Sequence, residues 1–189
     1  PPPSSGAIAV AQMLAYWRLA GPPVRLADRD GSLLVDGVHR FTEAERLAFA
    51  DRNEYVADTD FVALPGQRTH EPVRAAPGTL LDGAYLLRRA TLIGERSMRR
   101  AAPGSPSLAA APRASALPVF EPTSTSHLSI VDADGNVVSM TTSIENAFGS
   151  RLLVRGFLLN NQLTDFSFVP ERDGVPVPNR VQPGKRPRS

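Results

Sequence analysis

The stretch TSTSHLSIVDADGNVVSMTTS, residues 123–143, decides how this chain folds. On either side of Asp134-Gly135 lies a run rich in β-branched and hydroxyl residues, and its apolar positions recur with a period of two. A strand turns successive side chains to opposite faces, and Asp-Gly between two such runs is a strong hairpin signal. The spacing predicts a β-hairpin over 127–144. DADGN at 132–136 invites comparison with a calcium loop, but an EF-hand needs glycine sixth and a bidentate glutamate twelfth. Here Gly135 is fourth and the twelfth position is Ser143, so the run reads as a turn.

Working outward, residues 101–124 are dominated by Pro, Ala and Ser, and Pro103, Pro106, Pro112, Pro118 and Pro122 deny a continuous helix or central strand. A flexible loop is expected there. Three helices are expected before it. Residues 7–20 are apolar on nearly every face, as in a helix packed on both sides, and Gly21-Pro22-Pro23 ends them. Thr42 and Glu45 form a capping box, and Ala44, Leu47, Ala48, Asp51 and Tyr55 follow at helical spacing, giving a helix over 42–56 with one buried stripe. The third is expected over 79–99, where Leu81, Tyr85, Leu86 and Arg89 alternate with charged positions and Gly83 and Gly94 interrupt the pattern. Beyond the hairpin, a short strand is expected at 157–159, then a polar turn at Asn160-Asn161. The proline-rich tail GVPVPNRVQPGKRPRS reads as an extended loop whose cations, Arg180, Lys185, Arg186 and Arg188, belong to a solvated or packing segment.

The 189 residues suit one domain of ordinary size. The formal net charge is +2, too balanced for a surface that grips a polyanion, so no nucleic-acid partner is expected. The absence of cysteine excludes disulfides and thiolate chemistry, and the scattered His39, His70 and His127 have no metal-ligand spacing. Neither a metal nor a cofactor is expected. The longest apolar run, from Ala7 to Trp17, is too short to span a bilayer. The chain opens on Pro1-Pro2-Pro3 with no basic targeting segment, and is expected to be a central fragment of a longer protein.

The chemically informative cluster is TSTSHLS at 123–129, where hydroxyl residues meet the start of the first strand. A cut at such a junction makes a Thr or Ser the new N-terminus, its hydroxyl the nucleophile and its own α-amine the general base. An α-amine titrates near about 7.7 to 8.0 and accepts a proton at neutral pH, whereas an internal Thr needs a separate base.

TSHLSIVDADGNVVSMTTSIENAFGS, then GFLLNNQLTDFS, then PGKRPRS, closely resembles the start of the small subunit of γ-glutamyltransferases, N-terminal-nucleophile (Ntn) hydrolases that act on glutathione. PPPSSG and FTEAERLAFADRNEYVADTDFV, 41–62, resemble the end of the same family's large subunit; the likeness is loose over 63–120.

The resemblance implies an α+β fold that forms part of an αββα sandwich of the Ntn-hydrolase type. It divides the chain into 1–124, the end of a large subunit with 101–124 as a flexible loop, and 125–189, the start of a small subunit. Thr125 becomes the nucleophile, and the Ser124–Thr125 bond the site of self-cleavage. Ser143 stands where the family usually has a threonine whose hydroxyl contacts the nucleophile. Glu145, Gln162 and Asp165 would surround the substrate's α-ammonium, a cation best met by ionised carboxylates in a shielded pocket. Ser189 matches the first of two serines that hold the substrate's α-carboxylate.

The implied partners are glutathione and other γ-glutamyl compounds, amino-acid or peptide acceptors, and the two chains of the precursor for each other. The implied location is periplasmic or secreted. The family's carboxylate-binding arginine and oxyanion-hole glycines fall outside this chain, so the fragment alone is expected to be poorly active or inactive. A glutaryl or cephalosporin acylase on the same scaffold, and a non-catalytic remnant, remain alternatives.

Overall fold

The computed structural model describes residues 2–106 and 125–188. They form two compact units: 2–106 with 166–188, and 125–165. The 101–124 loop reading falls largely on residues 107–124, which lie outside the described residues.

In the first unit, α1 (Gly6–Leu19) packs against both α2 (Val35–Tyr55) and α3 (Gly83–Ala90). Along α2, Ala44, Leu47, Ala48, Asp51 and Tyr55 are all buried, as their spacing predicts. The helix nevertheless starts a good two turns before the expected cap, with Leu34 at the N-cap position. Thr42 lies inside it and donates its hydroxyl to the carbonyl of His39, 3.0 Å, the back-bond that a helical threonine makes. α3 is shorter than its 79–99 pattern: Asp82 caps it by accepting from the Ala84 N–H, 3.0 Å, and it ends at Ala90, ahead of Gly94. α1 buries Ile8, Ala9, Gln12 and Tyr16, whereas Val10 and Leu14 on its other face are 54% and 61% exposed. The two-sided packing expected for it is therefore one-sided within this unit.

Two apolar clusters build the core. One joins Ile8, Tyr55, Val56, Leu64, Leu80 and Tyr85; the other joins Tyr16, Ala44, Leu47, Ala48, Leu86 and Ala90. The carboxylate of Asp51, fully buried, binds elements around both clusters. Its Oδ2 accepts from Tyr85 Oη at 2.6 Å, Gln12 Nε2 at 3.1 Å and Tyr16 Oη at 3.4 Å; its Oδ1 accepts from the Gly104 N–H at 2.9 Å and Arg89 Nη2 at 3.2 Å. Burial, reinforced by the Asp51 charge, raises both tyrosine hydroxyls far above their usual pKa, so they remain donors.

The tail is more structured than a loop. β5 (Glu171–Arg172) and β6 (Val175–Pro176) form a small hairpin whose turn residues, Asp173 and Gly174, both have positive φ, +48° and +75°. Val177, Asn179, Lys185 and Arg188 are then buried.

The second unit holds the expected long hairpin. β1 (Thr125–Val131) pairs antiparallel with β2 (Val137–Ser143), from Val131 opposite Val137 to Thr125 opposite Ser143. Asp132 closes its turn: Oδ1 accepts the N–H groups of Asp134 and Asn136, each at 2.9 Å, and Gly135 sits at φ +84°. A shorter pair follows, β3 (Leu153–Val154) with β4 (Phe157–Leu158), where the strand near 157 was expected. Among the described residues, no helix is long and apolar enough to cross a membrane.

Candidate active site

Thr125 is the first residue of β1, and the ladder sets it directly opposite Ser143, the last residue of β2. The turn bond from the Asp132 N–H to the Asn136 carbonyl, 3.1 Å, sets the alternation of the ladder. Counting back from it, Thr125 and Ser143 form a non-hydrogen-bonded pair, the class in which facing side chains approach most closely. Both line an open hollow of about 490 Å³, together with Ser126, Thr142, Ile144, Asn146 and Ala147.

The period-two pattern gives the hairpin two unlike faces. Thr125, His127, Ser129 and Val131 share one with Val137, Ser139, Thr141 and Ser143; Ser126, Leu128, Ile130, Val138, Met140 and Thr142 lie on the other. On the hydroxyl face, His127 Nδ1 stands 2.8 Å from Thr141 Oγ1, and its Nε2 stands 3.1 Å from Ser129 Oγ and 3.3 Å from Ser139 Oγ. The histidine therefore ties the two strands together beside the Thr125–Ser143 pair.

From Ser143 the chain turns sharply. The Glu145 N–H donates to Ser143 Oγ at 2.9 Å, and Glu145 itself adopts φ +65°. This left-handed conformation is costly for a residue with a side chain, and such strain collects at functional sites. It brings the Glu145 carboxylate to the short helical turn Gln162–Asp165, where Thr164 Oγ1 donates to Glu145 Oε1. The Asn161 side chain accepts from the Asn146 N–H at 3.1 Å, a second tie between the two segments. Gly149, at φ +50°, lets the intervening chain pass: a Cβ there would come within 2.1 Å of the Leu159 carbonyl oxygen.

Thr125, Ser143 and Glu145 are thus contiguous, and Thr164 links Glu145 to the turn that carries Gln162 and Asp165. The hollow itself is lined by Thr125 and Ser143 but not by Glu145, Gln162 or Asp165. Ser124 and Ser189 lie outside the described residues. Sequence reasoning did not single out Thr164, Asn161 or His127 for these roles. Their positions in NNQLTD and TSHLS were visible, but their partners are set by the fold. Two oxygens, Glu145 Oε2 and Gln162 Oε1, are buried without a hydrogen-bond partner among the described residues. Among the same residues, no group of three or more potential ligands could hold a metal ion.

Comparison with known proteins agrees with the motifs. The sequence profile of the family described as gamma-glutamyltranspeptidase matches residues 1–189. The chain is 38% identical, over 98% of its length, to the glutathione hydrolase proenzyme of Pseudomonas aeruginosa, and 35% identical, over its full length, to that of Escherichia coli (strain K12). It is also 33% identical, over 98% of its length, to the acylase ACY 1 proenzyme of Pseudomonas sp. (strain V22). The chain spans 28% to 30% of these relatives. Among solved structures it is similar to a cephalosporin acylase from Bacillus halodurans, with a TM-score of 0.64 and 26% identity, covering 99% of this chain and 27% of that one. This likeness bears out the α+β class and its placement as part of an Ntn-hydrolase sandwich. With one family profile running from its first residue to its last, the chain belongs to the gamma-glutamyltranspeptidase family.

Proposed function

We propose that the intact protein transfers γ-glutamyl groups from glutathione and related compounds to amino acids, peptides or water, and that Thr125 is its nucleophile. The supporting observation is that two acceptors, Glu145 Oε2 and Gln162 Oε1, are buried without a hydrogen-bond partner among the described residues, Gln162 in the same short helical turn as Asp165. Leaving a buried acceptor unsatisfied costs about 1 to 3 kcal/mol, so a site of this kind is suited to a ligand rich in N–H donors. The α-ammonium of a γ-glutamyl group supplies three.

Maturation uses the same hydroxyl. Thr125 Oγ1 attacks the carbonyl carbon of Ser124, the C–N bond breaks as the Thr125 nitrogen takes a proton, and the resulting ester is hydrolysed into two chains. The division of the sequence into 1–124 and 125–189 is this processing boundary. It differs from the compact units, because the first of them draws on both sides of the bond. The freed α-amine then accepts the hydroxyl proton as Thr125 attacks the substrate's γ-carbonyl. The substrate's γ-amide C–N bond breaks as its nitrogen takes that proton and leaves as an amine, a γ-glutamyl ester remains on Thr125, and an acceptor amine or water releases it. Ser143 steadies the nucleophile; Glu145, Gln162 and Asp165 hold the ammonium, and Ser189 the α-carboxylate. A periplasmic or secreted location completes the proposal.

The matched acylases keep a second reading in view, hydrolysis of a glutaryl-type amide that brings no ammonium. Incubating the intact protein with matched γ-glutamyl and glutaryl anilides separates the two. Cleavage of the γ-glutamyl anilide well above the other, with a mature chain beginning at Thr125, is the expected result. Preference for the glutaryl anilide selects the acylase reading, and a mature chain that starts elsewhere rejects Thr125.

A further inference from the structure

The tail packs onto the end of α2 through charged residues that the proposed chemistry does not use. Asp58 lies just beyond that helix, fully buried. Arg186, far away in sequence, engages it three times: its backbone N–H donates to Oδ2 at 2.9 Å, its Nε to Oδ2 at 3.0 Å, and its Nη2 to Oδ1. The same Nη2 reaches Asp60 Oδ2 at 2.7 Å. Two residues on, the buried Arg188 places Nη1 3.2 Å from the carbonyl oxygen of Asn53 and 3.4 Å from that of Arg52, and its N–H donates to Asn179 Oδ1 at 3.0 Å. The last described residues are thereby held on α2 up to the position before Ser189.

Many ion pairs at a surface contribute little, because water competes for both partners and two long side chains lose freedom. This pair differs on one side. The Arg186 side chain is half exposed, but that of Asp58 is only 1% exposed, so removing the arginine strands a carboxylate that water cannot solvate. A fork of guanidinium donors plus a backbone N–H also fixes direction as well as distance.

We propose that Asp58 and Arg186, with Arg188 beside them, form a clamp between the two chains made by processing: Asp58 on the large chain grips the tail of the small chain and holds it as far as Arg188, the residue before the proposed substrate contact Ser189. The clamp rests on the proposed cleavage before Thr125, since Asp58 and Arg186 lie on opposite sides of that bond. Before cleavage it joins two parts of one polypeptide; afterwards it is an interface. Asp58 and Arg186 are positioning residues, acting on the substrate only through the backbone that leads to Ser189.

The test uses the intact protein with Asp58→Asn, Arg186→Ala, and the exchanged pair Asp58→Arg with Arg186→Asp. Three quantities are read: the extent of cleavage on a denaturing gel, the affinity of the separated chains, and kcat and KM for a γ-glutamyl anilide. Expected for the single variants are normal cleavage, affinity between chains weakened about tenfold or more, and a KM raised several-fold with kcat nearly kept. Should the single variants fail to fold, the exchanged pair decides, because it restores the attraction in reverse. Retention and KM that recover toward wild type support the clamp; an exchanged pair no better than either single change overturns it. Cleaved single variants with wild-type affinity and KM also overturn it, leaving the proposed function intact. A wild-type protein never cut before Thr125 overturns the processing reading, and the interchain clamp with it.

Discussion

Thr125 and Ser143 face one another as the last pair of the β1–β2 ladder, at the end away from the Asp134-Gly135 turn. The serine hydroxyl has a second duty, accepting the Glu145 N–H at 2.9 Å. One oxygen thus adjoins the proposed nucleophile and also holds the turn that carries a proposed substrate contact.

Ser143→Ala removes both functions. Losing a hydrogen bond that leaves a donor unsatisfied costs about 1 to 3 kcal/mol, so cleavage before Thr125 and kcat/KM should each fall by about tenfold to a hundredfold. Ser143→Thr keeps the oxygen and should retain most of both. Gel-monitored processing and steady-state kinetics check this, and a fully active alanine variant would remove Ser143 from the mechanism.

Asp165 should separate the two substrate classes. If it pairs with the ammonium, Asp165→Asn should cost about 2 to 5 kcal/mol toward a γ-glutamyl anilide and far less toward a glutaryl anilide. Comparing kcat/KM for both substrates, in protein confirmed as cleaved at Thr125, measures the difference. Equal losses would mean that Asp165 supports the fold or the nucleophile instead.

Asp51 should prove a stability residue. Replacing it with alanine leaves Arg89 buried without its carboxylate partner and deprives Tyr16, Tyr85, Gln12 and the Gly104 N–H of an acceptor. A loss of about 3 to 5 kcal/mol is expected, read from the shift in denaturant midpoint of the intact protein. A shift below 1 kcal/mol, roughly the value of an exposed pair, would show that the network is dispensable.

Acid should act through Asp58. Hydrogen bonds from Arg186 outweigh the upward push of burial and hold its carboxyl at about 2, below the ordinary 3.8. A group whose pKa falls on folding stabilises the folded state above its unfolded value and loses that contribution as pH drops through its folded value. The affected window therefore runs from about 3.8 down to about 2. Besides Arg186, the charged neighbours are Asp60, which shares that arginine, and Lys185, whose own pKa burial lowers. Asp58→Asn should flatten this part of the stability-against-pH curve; an unchanged slope would assign acid sensitivity elsewhere.

How much was legible beforehand follows from how local each feature is. The buried stripe of α2 and the β1–β2 hairpin rest on periodicity and turn chemistry within a short window, and both appear with little change. The start of α2 was misplaced because Thr42 satisfies a cap pattern that the preceding residues override by continuing the helix. The β5–β6 hairpin is too short for its alternation to register, and Pro176 argues against a strand. Thr125 and Ser143 were named from the family resemblance, and local periodicity foretells their facing each other, whereas the contact of Thr164 depends on meeting Glu145, 19 residues away. The partner of Arg186 was invisible for the same reason, since the Asp58–Arg186 contact spans 128 positions.

The two-faced hairpin also protects the proposed chemistry from a mispairing of its strands. Sliding β1 by one residue against β2 would exchange its faces, setting Leu128 and Ile130 among the serines and threonines and turning Thr125 toward the apolar side. Each slipped arrangement would mix apolar and hydroxyl side chains on both faces and strip the hydroxyls of their histidine. Because Asp132 and Gly135 fix the turn, a whole ladder of alternating side chains enforces the placement of a single oxygen at its far end. A residue inserted into or deleted from this strand would therefore flip the face of every residue before it, and aim is preserved here by counting rather than by any one contact.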